Sequence, residues 1–249
     1  MTYCVGLYLR DGLVLLSDTR TNAGVDHIST FSKMHVFETP GERVIVAMTA
    51  GNLAISQAVI NLLSEGLDNG GGEGEAAAAE TLLTVPSMFR AAQLVGSAVR
   101  QVFETDGPTL KAQGLSFDVS VLLAGQIKGR NMRLFQVYAA GNFIEATEET
   151  PFLQIGEHKY GKPILDRVLT HDSDIDDGIK LVLISMDSTL RSNLTVGMPL
   201  DLLVYRRDSQ RVELKRRISE DDPYYQGIRQ RWSAALREAY QSIPRPDWD

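Results

Sequence analysis

Residues 2–20 read TYCVGLYLRDGLVLLSDTR, and this stretch decides the fold of the chain. Two extended apolar runs flank Asp11-Gly12, a dipeptide typical of tight hairpin turns. Residues on both faces of the first run are apolar or small, which predicts a strand that is covered on both sides. A second pair of extended runs, 27–37 and 43–50, surrounds Pro40-Gly41. The first fifty residues therefore predict two β-hairpins.

Beyond residue 51 the spacing of apolar residues changes to that of a helix. Asn52 is the expected N-cap of that helix. Further segments predict helices at 86–102, 160–169, 177–186 and about 224–241, and strands at 117–124, 132–139, 143–146, 200–205 and 211–216. Strands that occur in neighbouring pairs favour antiparallel sheets. We expect one α+β domain over residues 1–249, a four-layer α/β/β/α sandwich of two antiparallel sheets with helices outside.

Composition narrows the function classes. The chain has 249 residues, of which 43% are hydrophobic and 23% charged, and its net charge of −7 argues against a nucleic-acid-binding protein. Cys4 is the only cysteine, so an intrachain disulfide is impossible, and the four histidines lack metal-ligand spacing. We expect no metal or other cofactor. Without a membrane-length apolar run or a signal-peptide pattern, we expect no membrane contact and a cytoplasmic location.

Thr2 is the candidate nucleophile. Removal of Met1 before this small residue would give Thr2 a free α-amine beside its hydroxyl, and these two groups can act as base and nucleophile. Asp18, Lys33 and Gly51 are the other candidates for the site. Each also has an ordinary interpretation: an ion pair of Asp18 with Arg20, a lysine on an edge strand, and a glycine at a strand-to-helix turn.

The combined pattern is specific. The segments GLYLRDGLVLLSDTR, VIVAMTAGNLA and FDVSVLLAG, together with Thr2 and Lys33, resemble proteasome β-subunits, which are N-terminal-nucleophile hydrolases with the four-layer fold. The resemblance covers residues 2 to about 205. The segment SMDSTLRSNLTVGMPLDLLVY and the C-terminal helix are similar to one bacterial branch, Anbu (ancestral β-subunit).

This resemblance implies a role for each candidate. Thr2 would be the nucleophile with Asp18 and Lys33 as polar neighbours, and the backbone N–H of Gly51 would donate to the oxyanion hole. Such a donor typically contributes ~3 kcal/mol to transition-state stabilisation. The remaining positions are a substrate pocket at Thr49 and Leu53 and supporting groups at Arg20, Asp187 and Ser192. A ring or ring-like homo-oligomer is also implied.

Three points stay open at this stage. Either the α-amine of Thr2 or a neutral Lys33 can serve as the base. Where the family has a supporting serine, Glu157 stands nearest, and we expect it at the surface. The catalytic hypothesis also predicts an odd-length loop or a bulge between the first two strands, because only then do Thr2, Asp18 and Arg20 share a face.

The leading hypothesis is a threonine peptidase or amide hydrolase that uses Thr2 after removal of Met1 and forms an acyl-enzyme. Two alternatives remain. One is a non-catalytic, self-assembling scaffold of the same fold, and the other is a hydrolase of small-molecule amides.

Overall fold

The computed structural model describes residues 2–22, 28–67 and 79–248. Its strands are β1 Tyr3–Leu9, β2 Gly12–Asp18, β3 Arg20–Asn22, β4 Ile28–Thr30, β5 Met34–Thr39, β6 Arg43–Gly51, β7 Val119–Ile127, β8 Arg133–Val137, β9 Phe143–Glu145, β10 Phe152–Gly156, β11 Leu200–Arg206 and β12 Leu214–Ile218. Its helices are α1 Leu53–Glu65, α2 Met88–Ala112, α3 Lys162–Val168, α4 Ile175–Ser192 and α5 Pro223–Ser242. Most of the loop expected over residues 65–80 lies outside the described residues.

The strands form two five-stranded sheets and a short ribbon. One sheet has the order β10-β1-β2-β11-β12 and the other β5-β6-β7-β8-β9, and every pair is antiparallel. The antiparallel sheets expected from paired strands are confirmed. Sequence reasoning missed β10 and β3, which have five and three residues, and it merged β4 and β5 into one extended run over 27–37.

Both faces of each sheet carry buried side chains. On β6, Ile45 packs in an apolar cluster with residues of α1 and α2, whereas the neighbouring Val46 packs in a second cluster with Leu15 of β2. On β2, Leu16 belongs to a third cluster with Val182 of α4. Full burial of each such side chain stabilises the fold by roughly 1.5–3 kcal/mol. The prediction that the first strands are covered on both sides is confirmed.

The turn between β1 and β2 differs from the prediction. Leu9 pairs with Gly12, so the turn is the two residues Arg10 and Asp11, and the register is even and free of bulges. The expected odd-length loop or bulge is wrong. Gly12 is a strand residue, since it pairs with Leu9. A Cβ at this position would lie 2.1 Å from the carbonyl oxygen of Tyr205 on β11, so glycine is needed here for the close approach of β11 and not for the turn.

The two ends of α5 differ in their surroundings. Tyr225 and Ile228 in its first two turns are buried against α4 and its neighbours, as the third apolar cluster shows. Beyond Trp232 the side chains are mostly exposed, including Leu236 and Tyr240. In residues 2–22, 28–67 and 79–248, no helix has the length and apolar character needed to cross a membrane.

Candidate active site at Thr2

Thr2 is nearly buried, with 7% of its surface exposed, and it lines two cavities. The smaller cavity holds about 60 Å³. Its walls bring together six of the residues that the sequence singled out: Thr2, Arg20, Lys33, Thr49, Gly51 and Leu53. These residues come from the start of β1, from β3, from the segment before β5, and from the junction of β6 with α1.

Asp18 and Lys33 form a buried ion pair beside this cavity. Lys33 Nζ donates to Asp18 Oδ1 over 2.6 Å and to the carbonyl oxygen of Arg20 over 2.7 Å. The backbone N–H of Tyr3 also donates to Asp18 Oδ1, and that of Gly197 donates to Oδ2. Burial raises the pKa of the Asp18 carboxyl, while the Lys33 ammonium and the two N–H groups oppose this rise.

The even register explains how Asp18 serves the site without sharing a face with Thr2. Extending the β1–β2 pairs by one position places Tyr3 opposite Asp18. Asp18 Oδ1 therefore fixes the backbone directly after Thr2 and also accepts the hydrogen bond from Lys33. Two of the three ammonium hydrogens of Lys33 are bound, and the group lines the same cavity as Thr2.

A loop of residues 193–199, NLTVGMP, makes hydrogen bonds to the end of β2 and the start of β3. Besides the bond from Gly197 to Asp18, the loop accepts a hydrogen bond from Arg20 Nη1 at the carbonyl of Leu194. The hydroxyl of Thr19 donates to the carbonyl of Pro199 over 2.6 Å. The loop thus binds three consecutive residues at the end of β2 and the start of β3.

Gly51 occupies a backbone position that requires glycine. Its φ is +109°, and a Cβ would lie 2.3 Å from the carbonyl oxygen of Asp118. Gly51 lines both cavities together with Thr2 and Ala50. Asn52 then caps α1, since its side-chain oxygen accepts from the N–H of Ala54 over 2.9 Å, which confirms the predicted N-cap.

The larger cavity is an open cleft of about 1110 Å³. Besides Thr2 and Gly51, its walls come from the start of β7, from β8 with the turn after it, from residues 149–156 and 158, and from α3. The cleft therefore extends from Thr2 along β10. Among the described residues, no group of three or more histidine, cysteine, aspartate or glutamate side chains is placed to hold a metal ion.

Solved structures of similar proteins identify the family. The chain is 50% identical to the Anbu (Gly-1) mutant from Hyphomicrobium sp. strain MC1, with all of both chains covered and a TM-score of 0.89. It is 47% identical to Anbu (ancestral beta-subunit) from Yersinia bercovieri over 99% of both chains, again with a TM-score of 0.89. The chain belongs to the Anbu family.

A third Anbu structure, the helical assembly of the Anbu complex from Pseudomonas aeruginosa, is 50% identical over 98% of both chains, with a TM-score of 0.89. Neither a family model nor a curated protein matches the chain. Anbu proteins are proteasome-related, so the resemblance read from the sequence is confirmed at the level of the family.

Two of the expected supporting residues of this Anbu chain lie elsewhere. Asp187 is buried on α4, where Arg191 donates to one carboxylate oxygen and Arg229 of α5 to the other. Its visible role is to attach α5 to α4. Ser192 is exposed at the end of α4. Neither residue lines a cavity that contains Thr2.

Glu157, whose backbone contacts Thr2, is a residue that sequence reasoning placed wrongly. We expected it at the surface, but only 5% of it is exposed. Its backbone N–H donates to the carbonyl of Thr2 over 2.6 Å, and its carboxylate accepts from Asn193 Nδ2 over 3.1 Å. The only sequence signal was its position next to Gly156, where the family has a serine. Sequence reasoning also missed Thr21, which lines the smaller cavity. Its hydroxyl is buried and has no hydrogen-bond partner in the described part of the chain.

Proposed function

We propose that this protein is an N-terminal threonine hydrolase that cleaves peptide or related amide bonds through an acyl-enzyme. The observation that carries the proposal is the smaller cavity, where Thr2 meets Gly51 and a Lys33 that is anchored by the buried Asp18. A nucleophile, a backbone donor and a fixed cation in one place are what acyl transfer requires.

The reaction begins when Thr2 Oγ attacks the carbonyl carbon of the substrate. We assign the α-amine of Thr2 as the base that takes the hydroxyl proton and passes it to the leaving amine as the C–N bond breaks. Lys33, held by a carboxylate and a carbonyl oxygen, supplies positive charge beside the developing alkoxide. The N–H of Gly51 donates to the tetrahedral oxyanion. Water then attacks the ester and releases the acid, regenerating Thr2.

The length of the cleft along β10 favours an extended substrate over a small amide. Ligand pockets for small molecules usually measure about 300–1,000 Å³. The cleft beside Thr2 reaches about 1110 Å³ and runs along β10. Thr49 and Leu53 in the smaller cavity would contact the side chain that precedes the cleaved bond. Rates on peptides and on short acyl amides with the same leaving group would rank the two substrate classes.

The direct test compares the protein with Thr2→Ala and Thr2→Ser, after intact mass has shown that Met1 is absent. Alanine and serine are both small, so removal of Met1 is expected in all three proteins. We expect hydrolysis of a fluorogenic peptide amide by the unmodified protein, residual activity with serine, and only background with alanine. Equal rates for the alanine variant and the unmodified protein would contradict the proposal.

A self-assembling scaffold is the second candidate function, and the exposed end of α5 favours it. Leu236 is 51% exposed and Tyr240 78% exposed, and they lie four residues apart on one face of the helix. Helical turns without packing are marginally stable in water, so a partner is expected to cover them. The Anbu complex from Pseudomonas aeruginosa forms a helical assembly. Electron microscopy would show whether this chain forms rings, ring-like spirals or helices.

We also infer that the three apolar clusters stack the elements as a four-layer α/β/β/α sandwich in one domain over residues 1–249. The middle cluster joins side chains of both sheets, and each outer cluster joins one sheet to helices. A single cooperative unfolding transition would support the single domain. The cytoplasmic location stays a prediction, which cell fractionation tests.

A further inference from the structure

Glu157 is a buried carboxylate without a cation. Its Oε2 accepts a hydrogen bond from Asn193 Nδ2 over 3.1 Å, and its Oε1 accepts one from the N–H of Lys159 over 3.3 Å. Within the described part of the chain, no lysine, arginine or histidine forms a salt bridge with it. Because burial of an unpaired carboxylate is costly, a cation is expected to complete the site.

The position of Glu157 points to one candidate cation. Tyr3 pairs with Gly156, and the next position of this pairing places Glu157 opposite Thr2. The short bond from Glu157 N–H to the Thr2 carbonyl fixes that proximity. Gly156 makes the approach possible, since a Cβ there would lie 2.0 Å from the Thr2 carbonyl oxygen. Glu157 itself lines neither cavity, so its carboxylate lies away from the space open to substrate.

We propose that the α-amine of Thr2, once Met1 is removed, is the missing cation and that Glu157 holds and orients it. This inference rests on the proposed function, in which that amine is the base. Asp18 is the other buried carboxylate near Thr2, but Lys33 and the N–H of Tyr3 occupy one of its oxygens and the N–H of Gly197 the other. Glu157 has only two amide donors and therefore retains acceptor capacity.

Glu157 is thus a positioning residue with two effects. In the neutral amine, one N–H donates to the carboxylate, which directs the lone pair towards Thr2 Oγ. The carboxylate also favours the ammonium form, as does the charge of Asp18, whereas the Lys33 ammonium and the burial of Thr2 oppose it. The other charged or titratable side chains that line the two cavities are Arg20 in the smaller one and, in the cleft, Asp118, Tyr138, Glu149, His158, Lys162 and Asp166. Activity should therefore increase with pH as the α-amine loses its proton, and Glu157 should move this titration to higher pH.

The experiment compares the unmodified protein with Glu157→Gln, Glu157→Asp and a matched control, Glu148→Gln. Glu148 is exposed and lines neither cavity. Two quantities are measured between pH 6 and 10. One is kcat/KM for a peptide amide, and the other is the reactivity of the α-amine, followed by competitive acetylation and mass spectrometry of the N-terminal peptide. The second readout needs no activity.

We expect the α-amine of the unmodified protein to titrate at a higher pH than that of Glu157→Gln. Glu157→Gln should move both profiles down by about one pH unit, with a smaller change for Glu157→Asp and almost none for Glu148→Gln. Coincident profiles for Glu157→Gln and the unmodified protein would overturn the inference. If Glu157→Gln does not fold, an α-amine profile of Glu157→Asp that coincides with that of the unmodified protein overturns it alone. An α-amine titration that is lower in a Glu157 variant, in a protein that hydrolyses no peptide, would reject the proposed function and retain the inference.

Discussion

Replacing Asp18 by asparagine tests the buried ion pair that underlies the site. The substitution keeps the shape of the side chain and removes its charge, so Lys33 loses its carboxylate and keeps only the carbonyl oxygen of Arg20 as a bonded acceptor. Both side chains are buried, with 0% of Asp18 and 6% of Lys33 exposed. Breaking a buried pair by removing one partner typically costs about 3–5 kcal/mol.

This cost is a large share of an ordinary stability of about 5–15 kcal/mol. For a chain of this length, each kilocalorie lowers Tm by about 2–4 °C, so Asp18→Asn should lower Tm by roughly 6–20 °C. The matched control is Asp166→Asn, because Asp166 pairs with Lys162 at half-exposed positions four residues apart on α3. Breaking that surface pair should cost less than about 1 kcal/mol.

The assay is denaturant unfolding at one fixed protein concentration, with the double variant Asp18→Asn/Lys33→Met included. Removing both charges leaves no unpaired ammonium, so the double variant should regain much of the lost stability. Peptidase activity should be lost in both variants that lack Asp18. Equal free energies of unfolding for Asp18→Asn and Asp166→Asn, or a double variant less stable than Asp18→Asn, would refute the reasoning.

Three further predictions address other parts of the molecule. Gly51→Ala should reduce kcat at least tenfold and lower stability by about 1–3 kcal/mol, because the new Cβ collides with the carbonyl of Asp118 at a positive φ; a folded variant with unchanged kcat would contradict this. Leu236→Lys combined with Tyr240→Lys should shift sedimentation towards smaller species without lowering monomer stability, since both side chains are exposed; an unchanged sedimentation profile would exclude this helix face from assembly. Burial and the nearby Lys215 lower the pKa of His35, so the unfolded chain takes up the proton first as pH falls below about 6.5 and the folded state loses stability. His35→Gln should flatten this loss of stability between pH 7 and 5. An unchanged dependence of the unfolding free energy on pH in this variant would contradict the prediction.

Much of the site was predictable because its parts lie in short, strongly patterned segments. The ends of the apolar strands hold Thr2, Asp18 and Gly51, and the residue pattern alone predicts those strands. Asn52 was predictable as an N-cap for the same reason. The family resemblance then grouped these positions, and the smaller cavity brings Thr2, Lys33 and Gly51 together.

What the sequence did not reveal depends on contacts between distant segments. The turn was misplaced by one residue because Gly12 was assigned to the hairpin turn. Glycine is needed there because the backbone of Tyr205, nearly two hundred residues later, approaches closely. The burial of Glu157 depends on the pairing of β10 with β1 and on Asn193. Asp187 carried a family-based expectation, but it binds arginines on α4 and α5. No local pattern encodes any of these three contacts.

The central claim is that the hydroxyl of Thr2, at a free amino terminus, is the nucleophile. The most direct test is to treat the protein with a β-lactone, which acylates a hydroxyl by ring opening and adds its full mass, and then to map the modified peptide by mass spectrometry. Our account predicts one adduct, on a peptide that begins at Thr2, and none in Thr2→Ala. An adduct on another residue, or equal labelling of the Thr2→Ala variant, would contradict it.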